Sequence, residues 1–177
     1  MRVSLFLDLP ANVRAGRSRP SGRPSVGEVL TTLATARYCA VLLYRCSNRL
    51  RRVGLLAAVL KQVNQFLTGA DVAPGAVIGR GLVLYHPNGV VIGEGAVLGR
   101  DCVLQQGVTI GGLGGPRSAG SVTTKLGDSV FVGAGARVIG AVEVGSRSVV
   151  GANAVVTKSV PADSVATGVP AVARPRS

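Results

Sequence analysis

Two hydrophobic periods divide this chain near residue 70. Ser25 and Glu28 have the spacing of a capping box. Beyond them, apolar side chains recur every three or four positions, as on one face of a helix: Val29, Leu30, Leu33, Ala36, Cys39, Ala40, Leu43 and Tyr44. The pattern predicts a helix over residues 26–50, a break at Gly54 and a second helix, which together form a helical hairpin over residues 26–69.

From Val72 the hydrophobic period becomes six. Neither a helix, with a period of 3.6, nor an ordinary strand, with a period of two, has this spacing. A glycine often follows the large aliphatic residue, and such a repeat is typical of a triangular parallel β-helix with short strands as sides and tight turns as corners. We expect this fold over residues 70–171, with about four coils. The aliphatic positions are Val72, Ile78, Leu84, Ile92, Leu98, Leu104, Ile110, Leu126, Val132, Val138, Val144, Val150 and Val156.

The six-residue repeat is interrupted at two places. From Leu84 to Ile92 the step is eight residues, so two extra residues bulge outward around the only histidine, His86. From Ile110 to Leu126 the step is sixteen, which predicts an extruded loop over residues 113–125. Because insertions in a regular solenoid commonly mark its functional face, these two places are the first candidates for a site.

Composition and charge narrow the possible partners. Residues 1–25 are rich in Arg, Pro, Ser and Gly without a hydrophobic period, which predicts a disordered basic arm, and residues 172–177 read as a tail. The net charge is +12, but no aromatic residues alternate with the N-terminal arginines, so we do not expect a nucleic-acid partner. The longest apolar run in the N-terminal half, residues 39–44, is far too short to cross a membrane.

The histidine and cysteine content argues against a metal centre. One histidine and three cysteines without CxxC spacing do not form a typical zinc site, so no metal is expected. An odd number of cysteines fits a reducing compartment better than a disulfide framework. We therefore expect a cytoplasmic protein.

The segment from Asp71 to Ala171 resembles the hexapeptide-repeat acyltransferases, and among them the serine O-acetyltransferases. The resemblance lies in the runs APGAVIGRGLVLYHPNGVVIGEGAVLG, QQGVTIGG, VFVGAGARVIG, GANAVVTKSVP and ATGVPA. It implies a mainly β protein, a left-handed parallel β-helix preceded by the helical hairpin. It also implies a homotrimer, with a dimer of trimers as a further option, and acetyl-CoA as co-substrate.

The resemblance also implies the catalytic residues. His86 corresponds to the family's general base and Asp71, fifteen residues earlier, to the acid that orients it. An alcohol is a poor nucleophile at neutral pH, so a base must remove its proton during attack on a thioester. A carboxylate on the other imidazole nitrogen fixes the tautomer, as in a Ser-His-Asp triad.

Four further positions match the part of the family that contacts coenzyme A. Backbone N–H groups near Gly112 and Ala134 are candidates for stabilising an oxyanion or for binding the pantetheine arm. Lys158 and the turn at Gly168 match the family's cofactor-contacting end.

The residues that the resemblance assigns to binding the acceptor substrate differ from the family pattern. Relatives carry an Asp before the catalytic His, where this chain has Tyr85, and an Arg-His pair in the extruded loop, where it has Val122 and Thr123. Arg117 is the candidate for the missing cation, and Glu94, on the acceptor side of the family's site, is retained.

These departures leave three functional hypotheses. The leading one is an acetyl-CoA-dependent O-acetyltransferase of the serine type. The second is an acyltransferase for another hydroxyl or amine, such as a sugar, an antibiotic or a biosynthetic intermediate. The third is a β-helix that serves as a non-catalytic scaffold.

Overall fold

The repeat region forms a triangular parallel β-helix in the computed structural model, which describes residues 6–17, 23–112 and 123–176. Strands β1, β4, β7, β10 and β13 form sheet A, strands β2, β5, β8 and β11 form sheet B, and strands β3, β6, β9, β12, β14 and β15 form sheet C. The strands are β1 Asp71–Val72, β2 Val77–Ile78, β3 Val83–Leu84, β4 Val91–Ile92, β5 Val97–Leu98, β6 Val103–Leu104, β7 Thr109–Gly111, β8 Lys125–Leu126, β9 Phe131–Val132, β10 Arg137–Ile139, β11 Glu143–Val144, β12 Val149–Val150, β13 Val155–Val156, β14 Ser164–Thr167 and β15 Val172–Pro175.

The strand register accounts for both interruptions of the repeat. A regular coil has 18 residues, as shown by the pairing of Val91 with Thr109. The first coil is longer by two, because Asp71 pairs with Val91. Val97 pairs with Lys125, so the chain leaves the prism between them and returns in register. Of this extruded segment, residues 113–122 lie outside the described part of the chain.

The prism interior is filled by the aliphatic residue of each repeat. The thirteen predicted positions are all buried, from Val72 in the first coil to Val156 in the last. Burying one such side chain contributes about 1.5–3 kcal/mol. The described strands form five coils where the pattern predicts about four, because Val160 and Ala166 continue the interior beyond the last aliphatic repeat.

Close coil stacking explains one of the turn glycines. A Cβ placed on Gly133 would lie 2.6 Å from the backbone nitrogen of Ala152, in the next coil. A side chain at this corner would therefore push neighbouring coils apart and break their backbone hydrogen bonds.

Four helices precede the prism in the described residues: α1 Leu9–Ala15, α2 Val26–Leu33, α3 Ala36–Arg49 and α4 Gly54–Thr68. The predicted capping box is present at Ser25 and Glu28. The single helix expected over residues 26–50 is instead two helices, since the Thr35 hydroxyl donates to the Thr32 carbonyl and accepts from the Tyr38 N–H.

In the described ranges no single helix is long and apolar enough to cross a membrane. The α2–α3 pair reaches that length and composition only together, across a bend of 65°.

The prediction of a disordered arm over residues 1–25 is wrong for residues 6–17, which include α1. Asp8, just before α1, is fully buried, and its carboxylate accepts two hydrogen bonds of 2.9 Å from the Arg45 guanidinium. It also accepts the backbone N–H groups of Gly81 and Leu82, at 2.8 and 3.0 Å. Composition could not reveal this anchor, because its partners lie far away in the sequence.

The expected tail at residues 172–177 is also different in the structure. Val172–Pro175 forms β15, which pairs antiparallel with β14 and closes sheet C at the C-terminal end of the prism. Ser177 lies outside the described residues.

The first prediction concerns the buried ion pair. We expect Asp8→Ala to lower the free energy of unfolding by about 3–5 kcal/mol, because it leaves the Arg45 cation buried without its partner. Urea denaturation followed by circular dichroism measures this change. Arg147→Ala, which breaks the exposed pair with Asp163, is the matched control and should leave the midpoint unchanged. Equal midpoints for Asp8→Ala and the parent protein would contradict the prediction.

The second prediction concerns Cys102, whose side chain points into the prism. Burial raises the pKa of this thiol to about 11, so at pH 8 only about one molecule in a thousand carries the thiolate. We expect Cys102 to resist a thiol reagent in the native protein, whereas the half-buried Cys39 and Cys46 react. Labelling followed by mass spectrometry tests this, with denatured protein as the control. Native Cys102 labelling as fast as Cys39 is the contrary result.

Candidate active site

All the described candidate residues border sheet A. The turns that follow the sheet C strands β3, β6, β9, β12 and β14 form one corner of the prism, here called the His86 corner: residues 85–90, 105–108, 133–136, 151–154 and 168–171. The first four of these turns lead into sheet A, whereas the last joins β14 to β15 within sheet C. The turns that lead from sheet A to sheet B form the next corner, here called the Glu94 corner: residues 73–76, 93–96, 112, 140–142 and 157–159. Tyr85, His86, Ala134 and Gly168 lie at the His86 corner, and Glu94, Gly112 and Lys158 at the Glu94 corner.

Backbone hydrogen bonds stack the turns of the His86 corner on one another. The Gly107 N–H donates to the Asn88 carbonyl at 2.9 Å, and the Gly135 N–H donates to the Gln106 carbonyl at 2.8 Å. The Gly168 carbonyl, in the last turn, accepts from the Val155 N–H at 3.0 Å. With about 4.8 Å per coil, this column of turns rises about 19 Å from the His86 turn to Gly168.

His86 lies in the two-residue bulge at the base of this column. Its side chain is exposed and faces a cavity of about 630 Å³ between the prism and the helices. The end of α1, the start of α3 and the end of α4 close the other sides of this cavity, here called the His86 cavity. Its lining comprises Ala15, Gly16, Thr35, Ala36, Arg37, Leu67, Thr68, Tyr85, His86, Pro87 and Asn88.

Tyr85 connects the prism to the helices in this cavity. Its hydroxyl donates to the Ala15 carbonyl at 2.9 Å, and its ring centroid lies 6.2 Å from that of His86. The Arg37 guanidinium carbon lies 5.3 Å from the Tyr85 ring centroid, a cation–π contact. Sequence reasoning missed Arg37, because residues 37 and 85 belong to different units of the chain and no motif connects them.

Asp71 is close to the His86 turn, but its carboxylate has another partner. The Gly89 N–H donates to the Gly69 carbonyl at 3.0 Å, so the chain leading to Asp71 runs directly beneath that turn. The Asp71 Oδ1 lies 2.7 Å from Lys61 Nζ, on α4. Within residues 6–17, 23–112 and 123–176, no hydrogen bond joins Asp71 to the His86 ring. The structure therefore places the two predicted catalytic residues at one corner without joining their side chains.

The Glu94 corner carries the remaining candidates. Glu94 Oε2 accepts the Gly75 N–H at 3.2 Å and borders a groove of about 400 Å³ that Lys61 also lines. Lys158 and Gly112 are exposed at the same corner. Arg117 and Val122 lie outside the described residues, and Thr123 is half-buried just before β8. One chain thus holds Glu94, Gly112 and Lys158 on the far side of sheet A from His86.

This geometry is suited to base catalysis on a small substrate. His86 offers an exposed imidazole to an open cavity, whereas Cys102 is sealed in the prism with a raised thiol pKa. In the described parts of the chain, no group of three His, Cys, Asp or Glu side chains is placed to hold a metal ion.

Comparison with known proteins identifies the family. Residues 123–158 match the family model described as bacterial transferase hexapeptide (six repeats). The chain is 41% identical to the serine acetyltransferase of Mycobacterium tuberculosis over 161 residues, which cover 90% of this chain and 69% of that protein.

Solved structures give the same result. A serine acetyltransferase from Neisseria gonorrhoeae superposes with a TM-score of 0.85 at 34% identity, covering 98% of this chain and 67% of that one. A structure of the Neisseria gonorrhoeae serine acetyltransferase in complex with serine has a TM-score of 0.81 at 34% identity, covering 95% and 68%.

These similarities confirm the predicted fold class, a left-handed parallel β-helix preceded by α-helices. They also confirm an enzyme of the acyltransferase type, which removes the scaffold hypothesis. The similarity to the Mycobacterium tuberculosis protein extends over more than two thirds of that relative. The chain therefore belongs to the serine acetyltransferase family.

Proposed function

We propose that this protein transfers the acetyl group of acetyl-CoA to the hydroxyl of L-serine, with His86 as general base. The observation that carries the proposal is the position of the only histidine, exposed in the one bulged turn of the His86 corner that also opens onto a cavity. Family membership and the serine bound by the superposed Neisseria gonorrhoeae enzyme support the same reaction.

The proposed reaction begins at the imidazole. His86 removes the proton from the serine hydroxyl while the oxygen attacks the thioester carbonyl, and backbone N–H groups stabilise the resulting oxyanion. Collapse of the tetrahedral intermediate breaks the carbon–sulfur bond, and the imidazolium returns its proton to the departing thiolate. The products are O-acetylserine and coenzyme A, and the enzyme is unchanged.

The His86 corner supports a binding track for coenzyme A. The column of turns rises about 19 Å from the catalytic turn and ends at Gly168, a length that suits an extended pantetheine arm. Along it lie the half-buried Ala134 and the exposed Gly168, and we propose that the turns containing them contact that arm.

The positions of the other cofactor candidates support a homotrimer. Gly112 and Lys158 lie at the Glu94 corner, so they contact the same coenzyme A only if that corner belongs to a neighbouring copy. Three parallel prisms arranged side by side bring each His86 corner against the next Glu94 corner. Glu94 and Arg117 would then also reach the acceptor from the neighbour. A dimer of trimers, joined through the helices at the N-terminal end, is the further assembly option.

Tyr85, at the position where the family resemblance implies an Asp, favours a second candidate acceptor, another small molecule with a hydroxyl or amine.

The three cysteines are free, which supports a cytoplasmic location.

The third prediction tests the base. We expect His86→Ala to lower kcat with L-serine by about 10²- to 10⁴-fold, because no other group then accepts the hydroxyl proton. Thiol release from acetyl-CoA measures turnover over a panel of acceptors. Since the ring is exposed and makes no hydrogen bond in the described residues, the thermal midpoint should not change. Turnover at the parent rate would disprove the assignment of His86.

The fourth prediction tests Asp71 as a positioning residue. We expect Asp71→Asn to lower kcat about 10-fold or more with little change in the KM for acetyl-CoA, because it disturbs the base and not the cofactor track. Lys61→Gln is the matched control, since it breaks the same ion pair from the other side. Should both variants lose turnover equally, Asp71 acts only through that pair and does not orient His86.

A further inference from the structure

We propose that Arg37 binds the carboxylate of the acceptor amino acid in the His86 cavity. The inference rests on the proposed function, since it concerns the acceptor half of the same site. It assigns the role to a residue of the helices, whereas the sequence pattern leads to Arg117 in the extruded loop.

Arg37 lines the same cavity as the proposed base, His86. Arg37 is the second residue of α3, and its guanidinium lies on the Tyr85 ring, 5.3 Å from the centroid. The His86 ring lies 6.2 Å from the same Tyr85 ring, and all three side chains line one cavity. These two distances place the Arg37 guanidinium carbon at most about 11.5 Å from the His86 ring centroid, and a serine hydrogen-bonded at both ends spans roughly 9 Å.

The Arg37 guanidinium has a donor that makes no hydrogen bond to the described residues. Its Nε is buried and has no hydrogen-bond partner in the described residues. Buried donors on a cation are normally paired, and an anionic ligand is one acceptor that would satisfy this one. The acids at the starts of α1 and α2 are already paired, Asp8 with Arg45 and Glu28 with Arg17.

The start of α3 adds to the same positive field. Thr35, Ala36 and Arg37 form the beginning of this 14-residue helix, and all three line the cavity. The first N–H groups of a helix have no partners within it, and the helix dipole places positive charge at this end. Together with the Arg37 guanidinium, these groups form a site for a carboxylate.

Tyr85 explains why an arginine suits this site. A guanidinium binds a carboxylate through two parallel hydrogen bonds, and the cation–π contact with Tyr85 holds it beside the cavity. An acidic side chain at position 85 would instead pair with the guanidinium itself and leave it unavailable to a ligand. The tyrosine at position 85 and the arginine at position 37 thus act together.

The fifth prediction separates carboxylate binding from other roles of Arg37. We expect Arg37→Gln to raise the KM for L-serine about 10- to 100-fold, as for the loss of a hydrogen bond to a charged group. With L-serinamide, which has no carboxylate, kcat/KM should not change. The KM for acetyl-CoA and the thermal midpoint should also match the parent, and Arg37→Lys should restore part of the serine affinity.

Two companion variants sharpen the test. Arg14→Gln removes an exposed cation from α1 that does not line this cavity, so it should leave both serine and serinamide kinetics unchanged. At Gly16, φ is −86°, which alanine adopts without strain, but its Cβ would lie 3.0 Å from Arg37 Nη2. Gly16→Ala should therefore raise the KM for L-serine by a few fold at constant kcat.

Each outcome decides between the inference and the proposed function. An unchanged ratio of serine to serinamide activity in Arg37→Gln overturns the inference and leaves the proposed function intact. A rise only in the KM for acetyl-CoA overturns it too, because Arg37 then binds the cofactor. If Arg37→Gln does not fold, an unchanged serine KM in Gly16→Ala overturns it. If the parent enzyme acetylates neither compound, the proposed function itself fails.

Discussion

The stacking of coils in fixed register is the constraint on which the rest of this structure depends. Each turn and strand donates and accepts backbone hydrogen bonds from the coils above and below, so every regular coil must have 18 residues. Extra residues cannot be absorbed inside a prism that is already filled by aliphatic side chains. They leave it at the corners, and this is why His86 stands outside the repeat, exposed, on a rigid support.

The same constraint gives the site its precision. The turn that carries His86 is held from below by Gly69 and from above by Gly107, so the proposed base is placed by backbone geometry and not by its own contacts. A catalytic group on such a support keeps its position without paying conformational entropy at each turnover. The acceptor side is built differently, from helices that are docked against the prism.

The buried Asp8–Arg45 pair couples these two parts. Asp8 joins the start of α1 to α3 and to the first corner between sheets B and C, through the Gly81 and Leu82 amides. Because the end of α1 and the start of α3 also line the His86 cavity, this anchor helps to define its shape. In this chain a buried ion pair outside the His86 cavity thus contributes to the environment of Tyr85 and Arg37.

The sequence by itself determined the prism, its interior positions, the two interruptions and the residue in the bulge, because a six-residue period is local and repeats many times. It also predicted the capping box at Ser25 and Glu28, whose partners are three residues apart. Only the tertiary structure decided that residues 9–15 form a docked helix, that Lys61 pairs with Asp71 and that Arg37 makes a cation–π contact with Tyr85. Each of these depends on contacts between residues 10 or more positions apart, which no local pattern encodes. The fold also decided that His86 and Glu94 lie on opposite edges of sheet A. Repeats that are adjacent in sequence lie at different corners of the prism, so a short distance along the chain does not place two side chains in one site.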